Sequence, residues 1–148
     1  AESAIQPKVA LNNEGRSVIV WKVRNEALRA AVGPAGQPWS VTTIKPNDTH
    51  SVTNSSLQAG IDGQGNALVA WTQPLSRFNP DLFVNAYTPA GGWGGPVFQE
   101  SLTGIDDAAG WPALAMNDRG QAMLAWHRRQ GSTSPDRRIV SRFYSSGR

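Results

Sequence analysis

One stretch of sequence occurs three times in this chain: PKVALNNEGRSVIVWK from Pro7, LQAGIDGQGNALVAWT from Leu57 and PALAMNDRGQAMLAWH from Pro112. In each copy a glycine precedes a tryptophan by six positions: Gly15 and Trp21, Gly65 and Trp71, Gly120 and Trp126. The glycines stand 50 and 55 residues apart. A period of that length marks one supersecondary unit that stacks on its neighbours, because a single unit cannot bury its own apolar surface. The chain therefore reads as one repeat domain over residues 1–148, with copies at about 7–50, 57–106 and 112–148.

A second landmark follows each tryptophan. The middle copy continues as LFVNAYTPAGGWGGPVFQESL and the first as ALRAAVGPAGQPWSVTTI, so Pro34 answers Pro89, Gly36 answers Gly91 and Trp39 answers Trp93 within a residue. The third copy ends as IVSRFYSSGR, before any such tryptophan. Each copy reads as four short strands. A polar turn (NNE, DGQ or NDR) closed by its glycine joins strands one and two, since glycine adopts positive φ without steric cost. Strand two (SVIVW, ALVAW or AMLAW) is apolar on both faces, as a strand covered on both sides must be. Strand three alternates, and strand four opens near Trp39 or Trp93. Four antiparallel strands in about 50 residues, with the inner strands doubly buried, predict an all-β chain of β-propeller blades, the last one incomplete. A β-trefoil, which also has three four-stranded repeats, is the alternative. Ser3–Ile5 resembles the ends of the fourth strands, so the N-terminus is expected to carry part of the strand that the third copy lacks.

Ile61–Trp71 with Leu82–Trp93, and again Ala115–Trp126, resemble a repeat found in bacterial exported proteins, DxxGNALVAW…NAYTPxGGW, whose copies are similar to propeller blades. The first copy departs from it: Asn12-Asn13 stands where Asp62 stands, and Ala30, Ala31 and Val32 replace the Asn-Ala-Tyr of strand three. The resemblance implies a fold and says little of activity, since propellers host enzymes, lectins and scaffolds. It also implies export. The start, AESAIQPKVA, holds no leader and reads like the end left after one is removed, which fits a secreted or periplasmic protein.

Composition excludes several classes of chemistry. With no cysteine there is no disulfide framework, Cys-ligated metal or thiol nucleophile. No apolar run reaches the roughly 18 residues of a membrane helix. The net charge is +3, and Arg128, Arg129, Arg137, Arg138, Arg142 and Arg148 crowd the end. They are split between turns and a strand, with Asp136 among them, so they read as solvated surface and no nucleic-acid partner is expected. His50 and His127 lie in no metal or triad spacing. The DGQGN turn lacks the alternating acids of a calcium loop, and Asp62 is expected to cap the turn instead. The sialidase Asp box does not fit, because Asp62 lies too far from Trp71. No cofactor or metal is expected.

Trp21, Trp71 and Trp126 recur at equivalent positions and are expected in the core; Tyr87 and Tyr144 are equivalent too and are expected to be structural. Trp111, which is not repeated, stands beside the acidic loop TGIDDAAG. The long irregular segments, Pro46–Ser56, Gln73–Asp81, Thr103–Gly110 and Gln130–Arg138, share one predicted face, where binding residues concentrate. The candidate site residues there are Arg77, Asp81, Asp106, Asp107, Trp111, His127 and Arg128. With no unique catalytic constellation, the chain is expected to be a non-enzymatic module that binds carbohydrate or protein. A propeller-type glycan-cleaving enzyme needs two carboxylates about 5–10 Å apart in a cleft. A structural segment of a longer exported chain is the third reading. Three blades are too few for a ring, since propellers use about 4–8. The expected partner is thus a second copy, head to tail in a six-bladed ring, or the rest of a longer propeller.

Overall fold

The computed structural model describes residues 3–24, 27–34, 36–37, 39–46, 51–53, 56–74, 80–98, 108–129 and 136–145, and all regular structure among them is β-strand. The first repeat forms β1 (Ala4–Leu11), β2 (Arg16–Val23), β3 (Leu28–Pro34) and β4 (Val41–Lys45), hydrogen-bonded in sequence order as an antiparallel meander. The second forms β5 (Gln58–Ile61), β6 (Ala67–Pro74), β7 (Pro80–Thr88), β8 (Gly92–Trp93) and β9 (Val97–Phe98). Here β8 and β9 both pair with β7, so they share the place of a fourth strand. The third forms β10 (Ala108–Met116), β11 (Gln121–Arg129) and β12 (Arg137–Ser145). We call these sheets 1, 2 and 3. Among the described residues no strand of one sheet pairs with a strand of another, so the closed barrel of a trefoil is not formed there.

The three hairpin turns are built alike, and each reason is local. Asn12 Oδ1 accepts from the amides of Glu14 and Arg16, at 3.1 and 2.8 Å. Asp62 Oδ1 accepts from Gln64 and Asn66, and Asn117 Oδ1 from Arg119 and Gln121. Gly15, Gly65 and Gly120 close the turns at φ of 72, 87 and 77°. The capping expected of Asp62 is therefore present, in all three copies. The turns also touch one another: Asn12 Nδ2 donates to Asp62 O at 2.7 Å, the Gly63 amide to Asp118 O at 3.0 Å, and Asn13 Nδ2 to Asp118 Oδ2.

The N-terminus corrects an expectation. Ala4 and Ile5 pair with Val23 and Lys22, so they extend the first strand of sheet 1 and lend nothing to sheet 3. The sequence hid this because a β-bulge at Gln6–Pro7 interrupts the apolar pattern between Ile5 and Lys8.

Side chains alternate across each central strand and define two sides. One side carries Ile19 and Trp21, Val69 and Trp71, or Leu124 and Trp126; we call it the Trp side. The reverse side carries Val18 and Val20, Leu68 and Ala70, or Met123 and Ala125. The reverse side of sheet 1 (Val18, Val20, Leu28, Ala30, Ile44) packs on the Trp side of sheet 2 (Ala67, Val69, Trp71, Phe83). The reverse side of sheet 2 (Leu68, Ala70, Leu82, Val84) packs on the Trp side of sheet 3 (Ala122, Leu124, Trp126). Sheet 2 is thus covered on both sides, which accounts for the unbroken apolar run of β6. Tyr87 and Tyr144 stand opposite Ala67 and Ala122, and each packs against one of these cores, so they are equivalent and structural as expected.

The tryptophans follow the stacking. Trp71 is fully buried, stacked on Phe83 at 5.8 Å, and Trp126 is buried. Trp21 is only half-buried, contrary to the expectation of a core residue, because no other sheet among the described residues packs on the Trp side of sheet 1. Trp39 lies just before β4 against Gly33, and Trp93, in β8, packs on Tyr87 at 5.4 Å, so both pack at the outer edges of their sheets.

Candidate functional site

Trp111 stands inside β10, not in a loop, at the bulge between Gly110 and Ala113. Its φ is +45°, a region that a non-glycine residue enters at a cost of order 1–2 kcal/mol. Gln6, at the matching bulge of sheet 1, has φ of +55°. The strained backbone is therefore shared by the first and third copies, each time just before a proline. What is particular to the third copy is the indole, which is 65% exposed on the reverse side of sheet 3.

Two side chains hold that indole, and a glycine makes room for one of them. The His127 ring lies 4.8 Å away at 58°, and the Arg137 guanidinium stacks over the indole at 5.4 Å, a cation–π contact. Gly110 makes room for the imidazole: a Cβ there would collide with the His127 ring. These residues border a shallow depression of about 340 Å3 whose walls include Trp111, Ala113, Ala125, His127, Arg137 and Ile139. The lining is apolar apart from one imidazole and one guanidinium. Such a surface takes the flat face of a ring and can hold one acceptor group at Arg137.

His127 has a pKa lowered from 6.5, first by burial and then by the positive charge of Arg137. The folded protein thus disfavours the imidazolium relative to the unfolded chain. His127 contributes its full stability above pH 6.5 and loses it as acidification protonates the unfolded chain first. We expect the urea midpoint to fall between pH 7.5 and 5, and His127→Gln to flatten part of that fall. An unchanged slope in the variant would rule out this assignment.

Of the residues singled out in sequence, the structure brings together Trp111 and His127. Arg128 alternates with His127 on β11 and so lies on the Trp side of sheet 3, away from the depression. Asp81 is buried at the start of β7, opposite Gln73, on the side of sheet 2 that faces sheet 1. Neither belongs to the site. Arg77, Asp106, Asp107 and His50 lie outside the described residues, as does much of the long-segment face. Three of those segments are shorter than expected, because β6 runs to Pro74, β7 starts at Pro80, β10 starts at Ala108 and β12 starts at Arg137. Sequence reasoning missed Arg137 and Ile139. The register Arg129↔Arg137 and His127↔Ile139 puts them beside the tryptophan, and only strand pairing reveals it.

Among the described residues no three His, Asp or Glu side chains gather as a metal site. The chain matches no family model and no protein among the curated ones.

Proposed function

We propose that the chain is a non-enzymatic binding module built of propeller-type blades, and that the reverse side of sheet 3 is its binding surface. The observation that carries this reading is the exposed indole of Trp111, held by His127 and Arg137 over an apolar depression. Trp111, Met123, Ile139 and Phe143 are 65, 46, 76 and 56% exposed on one sheet face. Contiguous apolar surface of this kind marks an interaction site. The blade reading is supported by the three meanders, stacked reverse side on Trp side, with their hairpin turns in contact. The resemblance to exported repeats supports a secreted or periplasmic setting. The ligand in this reading is a protein that inserts an apolar or aromatic side chain.

A second reading, a sugar ring stacked on Trp111, is favoured by the nearby Arg137, which suits an acidic sugar. Tryptophan fluorescence titration with indole-bearing peptides and with neutral and acidic oligosaccharides separates the two. Loss of one aromatic contact costs about 0.5–1.5 kcal/mol, so Trp111→Ala should weaken binding by up to about tenfold. Peptide binding that Trp111→Ala leaves unchanged would overturn the placement of the site, and silence toward both ligand classes would overturn the external ligand.

A further inference from the structure

The two uncovered sheet sides are of opposite kinds. Both interfaces within the chain join a reverse side to a Trp side. Among the described residues, what remains without a sheet packed on it is the Trp side of sheet 1 and the reverse side of sheet 3. The first presents Val9 and Leu11, 66 and 64% exposed, with Val41 at 51% and the half-buried Ile19 and Trp21. Register puts these on one side, since Val9 faces Ile19, Leu11 faces Ser17, and both Val41 and Ile19 pair with Ala31. The second presents Met123 opposite Phe143 and His127 opposite Ile139. Apolar side chains over half exposed on both end sheets are costly in water and are the raw material of an interface.

The depression on sheet 3 fits a particular visitor. In the interface between sheets 1 and 2, Trp71 lies in one cluster with Val20 and Leu28, both fully buried. The repeat and the strand register carry Val20 to Ala125, and Leu28 to Ile139, since Leu28 pairs with Lys22 as Ile139 pairs with His127. Ala125 and Ile139 are walls of the depression. At the level where sheet 1 packs on an indole of sheet 2, sheet 3 thus offers a socket with nothing in it among the described residues. The residue that stands to sheet 1 as Trp71 stands to sheet 2 is Trp21.

We infer that the occupant of this surface is a second copy of the same chain, head to tail, with Trp21 of one copy seated in the Trp111–Ala125–Ile139 socket of the other. The inference rests on the reading of this face as a binding surface and names its partner. Two copies related by a twofold axis make the contact twice and stack six sheets. A contact between unlike surfaces that fails to close would instead run on as a filament. The strand exchange suggested by Ser3–Ile5 plays no part, because Ala4 and Ile5 are already paired within sheet 1.

The test is sedimentation of the intact chain across a range of concentrations, with Trp21→Ala to remove the plug and Ile139→Glu to block the socket. Wild type should reach twice the 15.9 kDa chain mass. Each variant alone should associate at least tenfold more weakly. An equimolar mixture should associate more than either component, because an intact plug then meets an intact socket. Val9→Glu and Phe143→Glu, on the two exposed surfaces, give the same test should Trp21→Ala unfold the chain. A wild type that stays monomeric at every concentration overturns the inference. So does a dimer that Ile139→Glu breaks and both Trp21→Ala and Val9→Glu spare, since that joins like surfaces. A monomeric wild type that still binds an indole peptide in the fluorescence titration loses the self-partner and keeps the binding surface. One that binds no peptide and no sugar loses both.

Discussion

Trp71→Ala should cost this protein about 3–5 kcal/mol of stability, the range for deleting a large buried aromatic. A domain of this size has about 5–15 kcal/mol in total, so the variant should be near its unfolding midpoint without denaturant at the low end of that range. The cost has several sources. The indole is fully buried between sheets 1 and 2, stacks on Phe83 at 5.8 Å, and donates from Nε1 to Gln73 Oε1 at 2.8 Å. Removing it leaves a cavity in the larger of the two cores and an unpartnered amide acceptor. Trp126→Ala should cost nearly as much, since Trp126 is buried against Leu68, Ala70 and Leu82. Trp21→Ala should cost less than either at concentrations where the chain is monomeric, because its half-buried indole loses less burial. Urea unfolding of the three variants, at one low concentration, checks the order. Equal losses at the three positions would mean that Trp21 is covered within a single chain, and would remove the asymmetry on which head-to-tail association depends.

That asymmetry also bounds what could be read from sequence. The recurrence of Gly15, Gly65 and Gly120, each six residues before a tryptophan, was enough to place three hairpins and their strands two. It worked because turn chemistry and strand alternation are local. It could not separate Trp21 from Trp71, because their sequence neighbourhoods are nearly the same and only the neighbouring sheet differs. The β-bulges were equally out of reach. At Gln6 and Trp111 the backbone turns to positive φ and shifts the register, so strand one continues where the apolar pattern stops. That is why the apolar pattern alone sets Ala4 and Ile5 apart from the strand to which they belong.

The candidate site was legible in part for a related reason. Trp111 stood out because no other copy has an indole there, and His127 because it follows a core tryptophan. Their contact depends on Gly110, whose missing side chain lets the imidazole lie over β10. Arg137 reaches Trp111 from β12 across the sheet, and Asp81 and Arg128 fall on the inward sides of their strands. A shift of one residue in a strand exchanges inside for outside. Residues chosen for being near a loop end therefore divide between site and core, and only the register tells which.

The second large effect belongs to the turn of sheet 2. Asp62→Ala should lose about 3 kcal/mol. Asp62 is 1% exposed and accepts three hydrogen bonds, from the amides of Gln64 and Asn66 and from Asn66 Nδ2, at 2.9, 2.8 and 2.7 Å. Bonds to a charged acceptor are worth about 1.5–3 kcal/mol each, and donors left buried without a partner add to the loss. The turn cannot easily relax, because it is held from both sides, by Asn12 Nδ2 on Asp62 O and by the Gly63 amide on Asp118 O. Asn12→Ala, at 6% exposure, should cost less than Asp62→Ala, since it loses neutral bonds of about 1 kcal/mol each. Asn117→Ala, in the exposed turn of sheet 3, should cost about 1 kcal/mol, because water replaces its two backbone bonds. Asp62→Asn is the control. The other two turns already use asparagine, so the amide oxygen can keep both backbone bonds, and only the bond from Asn66 Nδ2 is lost. It should recover most of the loss, leaving about 1 kcal/mol. If denaturant titration finds Asp62→Asn as damaging as Asp62→Ala, the carboxylate does something beyond capping, and the cation loop set aside on sequence grounds would have to be tested by calcium titration of this turn.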